Sequence, residues 1–261
     1  MGVCMARKGD AVPEMKLILL PGFDTLMQKR VGKRIMGRHK TLVLIVLAGV
    51  IGAGEVLPEQ DRVSSAFRIA RVKYSGGGDW YNDPSAEVNL LNFIHEQIDL
   101  DVDARYTFVE PASEDLFTYP FLFLTGHGNI TLNETETRRL RTYLENGGFL
   151  FADDDYGMDK AFRREMKKVF PEKEFVELPF DHGIYSVHFD FSQGPPKTHA
   201  HDEHPPRGFG LFHNDRLIVF YTYESNPSDG WADPDVHKDP EEKRLEALRF
   251  GTNVVLWVLT H

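Results

Sequence analysis

The stretch Phe121–Gly157, FLFLTGHGNITLNETETRRLRTYLENGGFLFADDDYG, constrains the fold more tightly than any other part of the chain. Two apolar runs, Phe121–Leu124 and Gly148–Ala152, each end abruptly in polar residues. The first stops at Thr125-Gly126-His127-Gly128 and the second at Asp153-Asp154-Asp155. A short apolar run without alternation fits a strand buried on both faces, as in a parallel sheet. The segment between them carries helix signals: Asn133 and Glu136 at capping-box spacing, and Gly147-Gly148 as a stop. Strand, helix, strand is a βαβ unit with a right-handed crossover. Ligands of such sheets bind just beyond the carboxyl ends of the strands, and His127 and the three aspartates fall at such ends.

The remaining chain extends this α/β pattern. Phe67–Tyr74 alternates apolar and basic residues as a strand does, and it ends in Ser75-Gly76-Gly77-Gly78-Asp79-Trp80-Tyr81. Asn82-Asp83-Pro84-Ser85 opens a helix with Val88, Leu91, Ile94 and Ile98 at helical spacing. Tyr106–Val109 reads as a second strand, and Asp159–Phe170 as a helix stopped by Pro171. Phe175–Leu178 is a fifth apolar run and leads into Pro179-Phe180-Asp181-His182. Residues 183–210 read as a long irregular insertion. Gly210–Phe212 and Leu217–Tyr223 read as a hairpin around Asn214-Asp215. A polar loop with Trp231 follows, and Asp239-Pro240 starts the last helix.

Charge divides the chain. Residues 1–54 hold nine Lys/Arg against three Asp/Glu, a balance of +6, and the rest carries −16. An acidic body argues against nucleic acid as a partner, because phosphate binding needs a basic face. The basic start has the parts of a signal peptide. Arg38, His39 and Lys40 precede the apolar run Thr41–Ile51, and Gly52-Ala53-Gly54 supplies small residues. Met36 opens a complete leader by itself, so the expected start is Met36 and the expected mature domain is exported to the periplasm or cell envelope. An uncleaved N-terminal anchor is the alternative, and the only membrane contact expected. Residues 55–66 read as a linker and 67–261 as one domain. The single cysteine, Cys4, lies outside that domain, which excludes disulfides, cysteine zinc sites and thiolate nucleophiles there.

Several strand ends carry chemistry-bearing residues, which suggests one polar cleft. Gly76, Gly77 and Gly78 fit either an anion cradle of backbone N–H groups or a tight turn. Trp80 and Tyr81 fit either a stacking platform for a planar or sugar ligand or a cap on the core. Asp153, Asp154 and Asp155 repel one another unless solvated, paired or metal-bound. One of them could cap the following helix, though Asp159 is better placed for that. His199, His201 and His204 in THAHDEHP suit a divalent ion but match no strong zinc motif, and a solvated loop is the alternative. His127 reads as a general base, a ligand, or a histidine bonded to backbone. Glu224 and Trp231 are weaker ligand-binding candidates.

The phrases RVKYSGGGDWYNDP, FLFLTGHG, GGFLFADDDYGMDKAFRREM, ELPFDHGIY and VFYTYES resemble the bacterial domain of unknown function 4159 family over about Phe67 to His261. The element order also resembles the class I glutamine amidotransferase-like fold. That resemblance implies a single flavodoxin-like, doubly wound, mostly parallel sheet with helices on both faces, plus the late hairpin and the loop insertion. Amidotransferases present a cysteine where this chain has aspartates, so thiolate glutaminase chemistry is excluded. The expected function is a hydrolase-like envelope enzyme acting on a polar glycan- or peptide-like substrate. Asp154 or Asp155 with His127 would activate water, and a divalent metal ion is a candidate cofactor, held by Asp153, His182, His199 and His201. The competing expectation is a non-catalytic binding or interaction module using the same cleft. The oligomeric state is left open.

Overall fold

The computed structural model describes residues 66–199, 201 and 203–261. The expected leader at Arg38–Gly54 and the linker up to residue 65 lie outside the described residues. Among the described residues no helix is long and apolar enough to cross a membrane.

Seven strands form one sheet: β1 Ile69–Val72, β2 Phe108–Val109, β3 Phe121–Leu124, β4 Phe149–Asp153, β5 Val176–Glu177, β6 Arg207–His213 and β7 Arg216–Tyr223. Their spatial order is β2-β1-β3-β4-β7-β6-β5. The first five in that order run parallel; β6 is antiparallel to β7, and β5 to β6. The 2-1-3-4 start is the flavodoxin-like order, with its topological switch point between β1 and β3.

The two apolar runs of the central βαβ unit are β3 and β4, paired Phe121 to Phe149 through Leu124 to Ala152. Both are buried throughout, because helices cover both sheet faces. On one face Leu122, Leu124, Leu150, Ala152, Val219 and Tyr221 form a core. Two helices that pack on each other flank this side, α2 (Glu134–Glu145) and α3 (Asp159–Val169). On the other face Phe121, Phe123, Phe149, Phe151 and Phe220 join α1 (Ala86–Ile98), α4 (Pro227–Trp231) and α6 (Glu241–Thr260). Phe123, Phe151 and Phe220 stack in a row with centroids 5.7 and 5.8 Å apart. Each such buried ring contributes about 1.5–3 kcal/mol. A four-residue helix, α5 (Pro234–His237), links α4 to α6.

The helix signals take physical form. Asn133 Oδ1 accepts from the Glu136 N–H while the Glu136 carboxylate accepts from the Asn133 N–H, a complete capping box. At α3 the expected cap is displaced: Asp159 is already the first helical residue, and Asp154 Oδ1 accepts from the Met158 N–H instead. The insertion is shorter than expected, because β6 begins at Arg207.

Arg71 departs from the expected alternation. It is fully buried, beneath Phe123 and Tyr106. Its guanidinium pairs with Glu87 through two bonds of 2.6 Å. The remaining donors reach the carbonyls of Trp80, Asn82 and Asp83. A buried cation survives only when paired and hydrogen-bonded. Here the pairing fixes the loop that leads from β1 into α1.

Candidate active site

Strand-end loops meet at the carboxyl edge, at the switch point. Ser75 bridges Thr131, and His127 bridges Tyr156, so the loops after β1, β3 and β4 are tied to one another. His127 lies between two carboxylates: its Nδ1 is 3.1 Å from Asp79 Oδ2 and 3.2 Å from Asp155 Oδ2. Asp79 Oδ1 also accepts from the His127 N–H. These contacts assign the Nδ1–H form. Nε2 has no partner among the described residues, and half of the side chain is open to solvent.

The three aspartates go to three different places. Asp153 points to the α4 face. Its Oδ1 accepts from the Thr222 hydroxyl (2.6 Å), and its Oδ2 from the Ser228 N–H (3.0 Å) and hydroxyl (2.6 Å). Burial pushes its carboxyl up to about 7 against those three bonds. Both oxygens are already engaged, so the expected metal role does not fit Asp153. Asp154 points to the α3 face, where Met158 and the Tyr221 hydroxyl donate to it. Burial raises it to about 6. Only Asp155 meets His127. Asn82 donates to its Oδ2 (2.6 Å) and Asn226 to its Oδ1 (3.2 Å). Burial pushes the Asp155 carboxyl strongly upward, reinforced by the nearby charges of Asp229 and Asp153.

Beyond Asp155 lies a second cluster that the sequence reading largely missed. Asp229, on α4, is buried, with His199 Nδ1 2.5 Å from its Oδ2 and His237 Nε2 3.9 Å from its Oδ1. His237 Nε2 is also 2.8 Å from Asp83 Oδ2, and His199 Nε2 is 3.0 Å from Asp239. His201 Nε2 lies 2.9 Å from the Asn226 amide that serves Asp155, and its ring stacks on Tyr156 at 4.6 Å. Burial alone would raise Asp229, but the His199 hydrogen bond and the charges of His237 and His199 outweigh it and draw it down. The same carboxylates raise His199: its bond to Asp229 outweighs burial.

Other expected positions fall elsewhere. His182 sits at the opposite, amino edge, against Trp257 and beside Phe149 and Arg216, where β4 and β7 begin. The chain doubles back along α6 after β5, so the strand-end logic fails there and His182 is not part of the cleft. Trp231 is core: its Nε1 donates to the Ala247 carbonyl and its ring packs on Phe123 and Phe151. Gly76 and Gly78 are explained by close packing, since a Cβ at either would come within 2.7 Å of the 127–131 backbone. Gly77 has open space around it. Trp80 is half-buried over Phe108, while Tyr81 is exposed beside it. Glu224 lies on the Asp154 side, 3.4 Å from Lys197 Nζ, in a depression of about 280 Å³ with Tyr156 and Lys160. Two roomier depressions of about 400 Å³ lie along α3 and at the His182 edge. Neither gathers the histidine–carboxylate groups, so convergent chemistry marks the site here rather than volume.

A family model, Domain of unknown function (DUF4159), matches residues 68–259. The chain belongs to the DUF4159 family. No curated protein matches it. The DUF4159 match spans the whole sheet and every residue of the cleft, from Asp79 to Asp239. It assigns no reaction, so for this DUF4159 chain the chemistry has to come from the side chains themselves.

Proposed function

We propose that this DUF4159 chain is an exported cell-envelope hydrolase whose carboxyl-edge cleft acts on a polar, glycan- or peptide-like substrate. The observation that carries the reading is His127. Its Nδ1 is held between Asp79 and Asp155, which leaves a solvent-facing Nε2. An imidazole oriented through one nitrogen and open at the other is suited to take a proton from water. In that reaction water attacks the electrophilic carbon, its proton passes to Nε2, and the imidazolium then protonates the leaving group. Asp79 stabilises the imidazolium, and Asp155, whose carboxyl is held toward its neutral form by burial, orients the ring through Oδ2. Asn82 and Asn226 hold Asp155 in place. The export half of the proposal rests on the leader-like residues Arg38–Gly54.

The test is a panel of chromogenic acyl and glycosyl substrates given to the full chain. His127→Gln lowers the hydrolytic rate by about 10²–10⁴-fold, whereas His182→Gln leaves it unchanged. A His127→Gln variant that keeps the wild-type rate overturns the reading.

The exposed Tyr81, edge-on to Trp80 at 5.6 Å, favours a second reading, a non-catalytic glycan-binding module. Glycan fragments that bind without turnover, and lose binding in Tyr81→Ala, select it.

A further inference from the structure

Asp229 Oδ1 is buried with no N–H or hydroxyl donor to it among the described residues. The residue as a whole is 3% exposed. A buried acceptor left in this state is costly. Its surroundings make the deficit specific. The carboxyls of Asp155 and Asp229 lie within hydrogen-bonding reach of each other, and Asp83 adds a further carboxylate to the group. The fully buried guanidinium of Arg71, on β1, is consumed by Glu87 and three backbone carbonyls. Two histidines, His199 and His237, face Asp229, and His201 lies beside them against the Asn226 amide.

Two sets of ligating groups converge on this residue. Nitrogen and oxygen atoms of His199, His201 and Asp229 lie within 4.8 Å of one another, and so do those of Asp83, Asp229 and His237. The two sets use opposite oxygens of Asp229: Oδ2 faces His199 and the orphaned Oδ1 faces His237. The His199 and His237 rings are 5.2 Å apart. His199 has the arrangement of a metal-bound imidazole, because its other nitrogen is held by a carboxylate, Asp239, at 3.0 Å.

We infer that Asp229 bridges a two-cation centre, with His199 and His201 completing one half and Asp83 and His237 the other. Imidazole and carboxylate ligands select a divalent first-row ion of the zinc class. His201 and Asp155 share the Asn226 amide, so the centre adjoins the His127 cleft. Ions would bind there whether or not the cleft hydrolyses anything.

The experiment uses the full chain, stripped with a chelator and dialysed against zinc chloride alone, with bound metal counted by mass spectrometry. Wild type retains two zinc ions per chain. His201→Asn and His237→Asn each retain one, and Asp229→Asn retains none. His201 is exposed, so its variant folds normally and keeps the test valid should Asp229→Asn misfold; circular dichroism checks both. A wild-type chain that retains no zinc, or one ion only, overturns the bridged pair. So does a His201→Asn variant that retains two.

Discussion

His127 Nδ1 lies 3.2 Å from Asp155 Oδ2, although each residue follows a different strand. The contact depends on β3 and β4 being parallel neighbours in register, Leu124 beside Ala152. It depends also on two tethers from further away, Asn82 after β1 and Asn226 after β7. Four of the five parallel strands therefore set one side-chain geometry.

Gly126 is the residue whose replacement should disturb that geometry most directly. Its φ is +128°, and a Cβ there would fall 2.5 Å from the Tyr74 hydroxyl and 3.0 Å from Asp79 Oδ1. Gly126→Ala should cost about 1–3 kcal/mol in backbone strain and push Asp79 off His127. Gly147 has φ +107° but open space, so Gly147→Ala should bear the backbone strain of about 1–3 kcal/mol without the added crowding, and lose less than Gly126→Ala. Thermal melts of both variants check the ranking. Equal losses would mean that crowding at Asp79 contributes nothing.

Arg71 and Glu87 form a buried pair at 0% and 3% side-chain exposure. Arg71→Met leaves Glu87 without a partner and three loop carbonyls without a donor. The expected cost is about 3–5 kcal/mol by urea unfolding. Arg71→Met with Glu87→Leu should be less destabilised than Arg71→Met alone, because no uncompensated charge remains. A double variant at least as unstable as that single one would contradict this account.

Asp153 and Asp154 make stability fall with rising pH. Burial is the main cause in both, and it raises their folded-state carboxyls to about 7 and about 6. An unfolded aspartate ionises near about 3.9. Between these values the folded chain holds protons that the unfolded chain has lost. Their contribution to stability is therefore present in full below about pH 4 and is lost as pH rises to about 7, at about 1.4 kcal/mol per pKa unit. Asn fits at 153, with its carbonyl toward the Ser228 donors and its amide toward the Thr222 hydroxyl. Asp153→Asn should show a shallower fall in Tm across that window and a higher Tm than wild type above it. Parallel Tm profiles for the two proteins would contradict the assignment.

The parts of this fold legible in sequence are those where local and tertiary forces agree. The doubly buried runs of β3 and β4 read directly, and so did the Asn133 capping box, because period and cap chemistry are local. Asp79, His127 and the pair Asp154 or Asp155 were legible because strand ends in a parallel sheet converge, but which aspartate turns to His127 is decided by the tethers Asn82 and Asn226. Arg71 misled because alternation marks it as outward-facing, and only the Glu87 partner on α1 makes its burial tolerable. His182 misled because the chain leaves the sheet edge after β5 and returns along α6. Asp229 and His237 sit in NPSDGW and PDVHKDP, which read as a polar loop. Their prolines start two short helices, α4 and α5, and the packing of α4 against α1 and α6 carries Asp229 inward.

The most direct test of the central claim, that His127 and Asp155 act as one unit, is a double-mutant cycle on the hydrolytic rate. His127→Gln, Asp155→Asn and the double variant are assayed with the fastest substrate found. Groups that act together are strongly non-additive. The account predicts that each single variant loses most of the rate and that the double variant is no slower than the slower single one. Losses that multiply in the double variant, or an Asp155→Asn variant as fast as wild type, would contradict it.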